Sequence, residues 1–267
     1  MRVLVPIDFS DNARKALDYA LTLFGDHTPE VVLLNTWQIP HTGVGMLVSI
    51  EDILREEAER TMDEWVADFS AATKNLFPIS GKVQPGALPD VVRSILRSET
   101  FDYVVMGTHG ADDVKKKLLG SNTANVVRSS TIPVLVVPLD VEVNVPTKIA
   151  LATDFKDVTA ALIAPVVRLA QKFNARFEVL HVESSELVIH EDAPAGWKAP
   201  FGDQEVHLVQ VVNDSIVEGV DNYVNANKVN LLAAIRHDYG FFEGLFHKSV
   251  SRKLSMVVDC PLLIIPQ

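Results

Sequence analysis

Residues 2–24, "RVLVPIDFSDNARKALDYALTLF", are typical of a short strand followed directly by a helix. An apolar run ends at Asp8, and apolar residues then recur at helical spacing from Ala13 to Phe24. This spacing gives the helix one apolar face. The arrangement returns in residues 148–170, "KIALATDFKDVTAALIAPVVRLA", where Asp154 again precedes a phenylalanine. The sequence therefore predicts two copies of one strand–helix unit.

The ends of the two copies also resemble each other. "IPVLVVP" at 132–138 corresponds to "CPLLIIP" at 260–266, and "LDVEVNVP" at 139–146 joins the copies. A chain of 267 residues has room for two domains. We predict a first domain at 1–139 and a second, degenerate copy at 147–267.

Strands and helices alternate along the first domain. We predict strands at 2–7, 31–36, 79–84, 102–106 and 133–137, and helices at 11–24, 49–74, 87–98 and 121–129. Short apolar strands that alternate with helices indicate a parallel sheet covered on both faces. The predicted fold class is therefore α/β, with two tandem, doubly wound, Rossmann-like domains. Ligands of such sheets bind at the carboxyl ends of the strands, where strand order reverses.

The second copy is shorter between its second and third strands. In the first copy this interval holds the predicted helix 49–74, whose apolar side is formed by Ile50, Ile53, Leu54, Ala58, Met62, Trp65 and Phe69. The second copy has "SSELVIHEDAPAGWKAPFGDQE" at 184–205, which prolines and glycines interrupt. Because proline breaks a helix interior, we expect no helix of comparable length there.

Composition limits the classes of partner. The net charge of −11 argues against nucleic-acid binding, which needs a concentrated basic face. Cys260 is the only cysteine, so no internal disulfide can form and a reducing, cytoplasmic location is expected. No apolar run approaches the length of a membrane span, so no membrane partner is expected.

A glycine-rich stretch, "GTHGADDVKKKLLGSNT" at 107–123, follows a predicted strand and precedes a predicted helix. Free N–H groups and the positive end of the helix dipole at such a point favour phosphate. The alternative needs no ligand: Gly120 forms a turn and Ser121 caps the helix. The stretch alone leaves both interpretations open.

The spacing G-x2-G-x9-G-S-x-T resembles the nucleotide-binding signature of the universal stress protein family. "VLVPIDFS", "VVMGTHG" and "PVLVVP" resemble the first, fourth and last strands of that family, and the duplication resembles its tandem members. The resemblance implies an adenine nucleotide alpha hydrolase-like fold that binds ATP, with or without magnesium. It implies phosphate contacts at Gly107, Gly110, Gly120, Ser121 and Thr123, nucleoside contacts at Asp8 and Thr36, and neighbours at Met106 and Asn122.

Other residues near the motif have simpler interpretations. Asp8 is equally suited to a turn before the helix that begins near Ser10. The basic run 115–117 is typical of a solvated loop, and His109 has no partner in the sequence that would make it catalytic. The run His190-Glu191-Asp192 lacks metal-ligand spacing and is interpreted as a surface loop.

The second copy loses the motif. Ile235, Asp238 and Lys248 stand where the first copy has its three glycines, while Ser249 and Ser251 replace Ser121 and Thr123. Side chains at these positions prevent the close approach that glycine allows. We therefore predict one ATP per chain, in the first domain.

The resemblance implies a nucleotide-dependent regulatory binding protein of the stress response. A slow ATPase or nucleotidyl-transfer enzyme on the same fold is the alternative, although the sequence contains no paired acid and base. We expect the two domains to pair as an intramolecular pseudo-dimer through the final strands 133–137 and 262–265, with a homodimer as a further arrangement. The sequence does not identify a protein partner.

Overall fold

A computed structural model describes residues 1–25, 30–38, 47–108, 119–183, 195–236 and 260–267. The chain forms two compact units, and the boundary between them falls after Leu139. Within each unit the strands pair in parallel. Predicted residues Gly110, His109, 115–117, 190–192, Asp238, Lys248, Ser249 and Ser251 lie outside the described residues.

The first unit contains a five-stranded sheet with helices between its strands. The strands are β1 (Arg2–Pro6), β2 (Glu30–Trp37), β3 (Ile79–Pro85), β4 (Tyr103–Gly107) and β5 (Val134–Val137). The helices are α1 (Asp11–Phe24), α2 (Leu47–Ala72), α3 (Leu88–Ser98) and α4 (Ser121–Ser129). The strand order is β3-β2-β1-β4-β5, so the direction of winding reverses between β1 and β4.

The second unit repeats this topology with fewer helices in its described part. Its strands are β6 (Lys148–Ala152), β7 (Arg176–Glu183), β8 (His207–Val212), β9 (Leu231–Arg236) and β10 (Leu262–Pro266). Its described helices are α5 (Ala160–Phe173) and α6 (Ile216–Asn227), with a 3-10 turn at Ala199–Phe201. The order β8-β7-β6-β9-β10 matches that of the first unit strand for strand.

The α/β fold class predicted from the sequence is confirmed. Helices α1 and α4 have the predicted bounds, and α2 begins and ends two residues earlier than predicted. The strand interiors are apolar and buried, as expected for a parallel sheet with helices on both faces. No helix among the described ranges is long and apolar enough to span a membrane.

Side-chain caps begin the helix that follows the first strand of each unit. Ser10 accepts a hydrogen bond from the backbone N–H of Ala13 at 3.2 Å, and Thr159 accepts one from Leu162 at 3.3 Å. A hydroxyl at this position satisfies an N–H group that has no partner within the helix. The repeat seen in sequence therefore extends to the way in which these two helices start.

Among the described side chains, the predicted apolar face of α2 is wrong at one position, while the predicted side chain of Ile50 lies outside the described ones. Ala58, Met62, Trp65 and Phe69 are buried, whereas the side chain of Ile53 is 58% exposed. Five residues separate Ile53 from Ala58, which turns its side chain roughly 140° away from the buried face at 3.6 residues per turn. Ile53 therefore belongs to the solvent side of the helix.

The connection between β7 and β8 cannot contain a helix like α2. The whole connection from Glu183 to His207 is shorter than the 26 residues of α2. Its described part, 195–206, contains the 3-10 turn and packs into the unit, since Phe201 is 4% exposed and contacts the ring of Phe177 at 5.6 Å. The described part of this segment is thus a core element of the second unit.

Candidate functional site

The first unit has a cavity at the carboxyl edge of its sheet, where strand order reverses between β1 and β4. The cavity contains about 540 Å³ of empty space. Parallel sheets bind small molecules at this point, because strand-end loops and helix N-termini converge there. Six of the residues predicted from sequence line it: Asp8, Thr36, Met106, Gly107, Asn122 and Thr123.

Four residues that sequence reasoning missed complete the lining: Pro6, Ile7, Ala13 and Leu88. Leu88 is the first residue of α3, which follows β3. Because β3 pairs with β2 in parallel, its carboxyl end lies at the same edge as Thr36. The order of strands in the sheet would have found Leu88, but the residue pattern alone does not give that order.

Asp8 forms the turn that leads from β1 to α1. Its Oδ1 accepts hydrogen bonds from the backbone N–H of Ser10 at 3.1 Å and from the Ser10 hydroxyl at 2.5 Å. Phe9, between them, has a φ of 62°, which L residues with bulky side chains rarely adopt. The turn-forming interpretation of Asp8 is therefore correct, and the same carboxylate also lines the cavity.

Gly107 is required by the approach of α1. A Cβ added at this residue would lie 2.6 Å from Cγ of Asn12, a buried side chain on that helix. Such a distance is too short for two carbon atoms, so any other residue would displace α1 or β4. The glycine thus has a packing role that does not depend on a ligand.

Thr123 is tied to the end of β4. Its side chain is buried, and its hydroxyl donates a hydrogen bond to the carbonyl oxygen of Gly107 at 2.9 Å. The resemblance implied that this hydroxyl contacts phosphate. In the structure it fixes α4 against β4, which leaves the backbone N–H of Thr123 as the group available at the helix start.

Helix α4 begins without a side-chain cap. Gly120 occupies the N-cap position with extended backbone, so the sequence alternative that made Ser121 the cap is wrong. The Gly120 N–H donates to the carbonyl oxygen of Thr108 at 2.7 Å. Within the described ranges, the N–H groups of Ser121, Asn122 and Thr123 have no hydrogen-bond acceptor. Three donors at the positive end of a helix therefore lie beside the cavity.

A cluster of ion pairs in the first unit lies at the opposite edge of the sheet. Arg2 binds Glu30 at 2.8 Å and Glu99 at 3.1 Å, and Lys82 also pairs with Glu99. The hydrogen bond from Arg2 lowers the pKa of Glu30, and that from Lys82 lowers the pKa of Glu99. These groups flank the amino ends of β1 and β2, so their shifted pKa values reflect surface pairing and do not mark the cavity.

Among the described residues, no group of three or more His, Cys, Asp or Glu side chains could hold a metal ion. The features that the cavity does present are a carboxylate, apolar walls and backbone N–H donors. This donor set suits an anionic group at α4 and a neutral polar group near Asp8.

In the second unit the register identifies the residue that replaces Gly107. Val3 pairs with Tyr103 in the first sheet, and Ile149 pairs with Leu231 in the second. Counting along each strand places Ile235 at the position of Gly107. Ile235 is buried, so a branched side chain fills the strand end where the first unit has a glycine.

A family model described as "Universal stress protein family" matches residues 1–138. Universal stress protein MJ0577 of Methanocaldococcus jannaschii is 28% identical over 151 residues, which cover 51% of this chain and 93% of that protein. Universal stress protein G of Salmonella typhimurium is 37% identical over 87 residues, which cover 33% of this chain and 58% of that protein.

A solved structure extends the likeness to the second unit. The crystal structure of a universal stress protein from Archaeoglobus fulgidus matches with a TM-score of 0.76 and 21% identity. The match covers 100% of this chain and 96% of that chain. At this level of identity the likeness establishes a shared fold across both units.

Proposed function

Since the chain belongs to the Universal stress protein family, we propose that its first unit binds ATP and that the protein acts as a nucleotide-dependent regulatory binding protein of the stress response. The observation that carries this proposal is the uncapped start of α4 beside a cavity at the switch point of the sheet. A helix start with free N–H donors is suited to phosphate without any cationic side chain.

The proposed pose follows the chemistry of the lining. The phosphates lie at Gly107, Gly110, Gly120 and the backbone N–H groups of Ser121, Asn122 and Thr123. The nucleoside lies toward Asp8, Thr36 and Met106, where a carboxylate can accept hydrogen bonds from sugar hydroxyls. Magnesium, where present, is held by the phosphates.

Calorimetry with ATP tests the assignment. Gly120→Lys puts a long side chain at the helix start, and we expect affinity to fall at least about a hundredfold, since several N–H contacts are lost together. Asn125→Lys is the matched control, because it adds the same charge to an exposed site on the same helix, outside its first turn. Equal affinity of Gly120→Lys and the parent protein would contradict the proposed site.

We propose binding without dedicated turnover. A general base must lie within hydrogen-bond reach of the attacking water, and the described lining offers only Asp8, whose carboxylate is engaged in the turn to α1. We expect a steady-state ATPase rate below about 1 per second, under the usual range of enzymes. A faster rate that Gly120→Lys abolishes would favour the enzymatic alternative.

The second unit is proposed to leave ATP unbound, since Ile235 occupies the strand end where Gly107 allows close approach. Titration should saturate at one ATP per chain, and a stoichiometry of two would contradict this. The pairing of the two units as a pseudo-dimer stays a prediction from the sequence.

A further inference from the structure

The second unit contains its own cavity at the equivalent edge of its sheet. It holds about 520 Å³ of empty space, close to the volume of the cavity in the first unit. It lies at the carboxyl ends of β6 and β7 and against the start of α6. Its walls are mainly aliphatic, and its polar side chains are those of Thr153, Asp154 and His181.

The carboxylate of the first site persists in this cavity. The Asp154 carboxylate repeats the turn of Asp8, since its Oδ1 accepts a hydrogen bond from the N–H of Lys156 at 3.0 Å. Its other oxygen lies 3.5 Å from Nζ of the exposed Lys156, which offsets its charge locally. Asp154 therefore remains at the cavity as an acceptor for hydroxyl groups.

His181 takes the position of a buried amide in the first unit. There, Nδ2 of Asn35 donates to the carbonyl oxygen of Ile7 at 2.9 Å. In the second unit, Nδ1 of His181 lies 2.9 Å from the carbonyl oxygen of Thr153. A carbonyl oxygen can only accept, so Nδ1 carries the proton. Both side chains thus hold the end of the first strand in place.

The histidine, unlike the asparagine, has a second ring nitrogen. In the neutral ring Nε2 is an acceptor, and among the described residues no group donates to it. The imidazole ring lies against Phe155, with centroids 5.0 Å apart, which restricts its orientation. A ligand N–H group can therefore meet an acceptor held in a fixed position inside an apolar cavity.

The part of the cavity that corresponds to the proposed phosphate site of the first unit is lined by aliphatic side chains. Ile235 lines the cavity at the Gly107 position, and Ile216 and Val182 occupy the positions of Leu88 and Thr36. Burying a phosphate against aliphatic side chains is unfavourable, because its charge would lose water without gaining donors. Among the described residues, the lining is suited to a ligand with hydrogen-bond donors and an apolar ring but no charge.

We propose that the second unit binds a phosphate-free nucleoside in this cavity. Asp154 accepts from the sugar hydroxyls, Nε2 of His181 accepts from a base N–H, and the aliphatic walls cover the faces of the base. The choice of a nucleoside rests on the function proposed for the first unit, since the two cavities share strand ends and volume. The chain would then have one site for a charged nucleotide and one for an uncharged nucleoside.

Adenosine is the probe, and the full chain is titrated in the presence of saturating ATP, which occupies the first unit. We expect one further site per chain. His181→Asn retains the hydrogen bond to Thr153, as Asn35 does for Ile7, but removes Nε2. This variant should bind adenosine at least about tenfold more weakly, the effect of one lost hydrogen bond in a buried site.

A second readout does not depend on a variant. In protein with ¹⁵N-labelled histidine, adenosine should shift the Nε2 resonance of His181 and leave that of Nδ1 nearly unchanged. Absence of adenosine heat in the presence of ATP, an unshifted Nε2 resonance, or equal affinity in a folded His181→Asn variant would overturn the proposal.

The two proposals fail in different ways. If ATP binds once and adenosine then finds no further site, only the inference about the second unit fails. If ATP does not bind and adenosine still binds in a manner that depends on His181, only the function proposed for the first unit fails.

Discussion

In each unit an aromatic pair packs against the turn after the first strand. The two pairs have the same spacing in the sequence but lie on different kinds of segment. In the first unit Trp65 and Phe69 lie one turn apart on α2, with ring centroids 5.7 Å apart. Trp65 contacts Phe9 of the turn at 5.6 Å. The long helix thus packs Trp65 against the strand–helix turn, and Phe69 contacts Trp65.

In the second unit Trp197 and Phe201 perform this packing from a short segment around a 3-10 turn, with centroids 6.1 Å apart. Trp197 contacts Phe155, the counterpart of Phe9, at 6.2 Å. Both units keep the pair of rings, although the segments that carry them differ greatly in length. A helix can therefore be lost from this fold while the core is kept.

Removing the deeper ring of each pair gives the largest expected effect. Phe201→Ala and Phe69→Ala should each lower the free energy of unfolding by about 3 to 5 kcal/mol, the usual cost of deleting a buried phenylalanine. Urea unfolding followed by circular dichroism measures both. Leu76→Ala, at a side chain that is 68% exposed, is the control. A loss below about 1 kcal/mol for Phe201→Ala would show that the short segment does not replace the helix.

The bond that anchors α4 is the next target, because it stabilises the site of the first unit. Thr123→Val keeps the shape of the side chain but leaves the Gly107 carbonyl oxygen without its donor. We expect a loss of about 1 to 3 kcal/mol in stability, typical of an unsatisfied buried group. Thr123→Ser retains the hydroxyl and should recover part of the loss. Equal melting temperatures for Thr123→Val and Thr123→Ser would contradict this prediction.

A buried carboxylate distinguishes the second sheet from the first. Glu178 on β7 is 2% exposed, whereas the equivalent residue of β2 is Val32. Arg176 donates to Glu178 at 2.8 Å, and the Tyr223 hydroxyl does so at 2.8 Å. Tyr223→Phe should cost about 1 to 2 kcal/mol, the range for a hydrogen bond to a charged group. If urea unfolding shows no change in the free energy of unfolding, the Tyr223 hydroxyl does not stabilise Glu178, and Arg176 and Lys148 are its effective partners.

The same cluster predicts how stability changes with pH. Burial alone would raise the pKa of Glu178, but the hydrogen bonds from Arg176 and Tyr223 and the charge of Lys148 outweigh it and lower this pKa. The contribution of Glu178 should therefore be present above its ordinary pKa near 4.5 and be lost as pH falls through the lowered value. The difference in unfolding free energy between the parent protein and Glu178→Gln, measured from pH 7 to 3, should shrink toward acid. A constant difference would contradict this linkage.

Tyr223 makes stability depend on pH in the alkaline range, as Glu178 does in the acid range. Burial, and then the hydrogen bond to Glu178, raise its pKa to about 12. Stability from this pair is therefore present below pH 10 and lost as pH rises through 12. When tyrosinate absorbance is followed as pH rises, the component that titrates at the highest pH should be present in the parent protein and absent in Tyr223→Phe.

The smallest effect is expected where the sequence interpretation was wrong. Ile53→Glu should change stability by less than about 0.5 kcal/mol, because the side chain is 58% exposed. Met62→Glu, on the buried side of the same helix, provides the contrast. A large loss for Ile53→Glu would mean that this end of α2 is covered in solution.

The architecture was predictable because apolar periodicity directly reports which faces are buried. The alternation of strands and helices, the repeat of Asp8 at Asp154 and the placement of Gly107 at a strand end follow from the sequence alone. Ile53 was assigned to the apolar face because it is apolar and adjacent to Leu54 in the sequence. Consecutive residues of a helix point in different directions, so Ile53 faces solvent.

Long-range relations were not predictable. The packing of Gly107 against Asn12, and the bond from Thr123 to Gly107, depend on how α1 and α4 approach β4. The correspondence of His181 with Asn35 required the strand register, since neither residue type indicates its partner. Such relations arise from packing between elements that local pattern does not encode.

The two left-handed phenylalanines have a consequence for the order of assembly. Phe9 and Phe155 have φ values of 62° and 64°, a conformation that costs an L residue about 1 to 2 kcal/mol. The rings that hold them, Trp65 and Trp197, belong to segments far later in the chain. The hydrogen bonds accepted by Asp8 and Asp154 hold each turn locally, and the tryptophan ring then covers its phenylalanine. Because the left-handed conformation is unfavourable, we expect the turn to become stable only after the aromatic segment has docked. In pulsed hydrogen exchange during refolding, the amides of Ser10 and Lys156 should therefore gain protection later than the strands β1 and β6 that precede them.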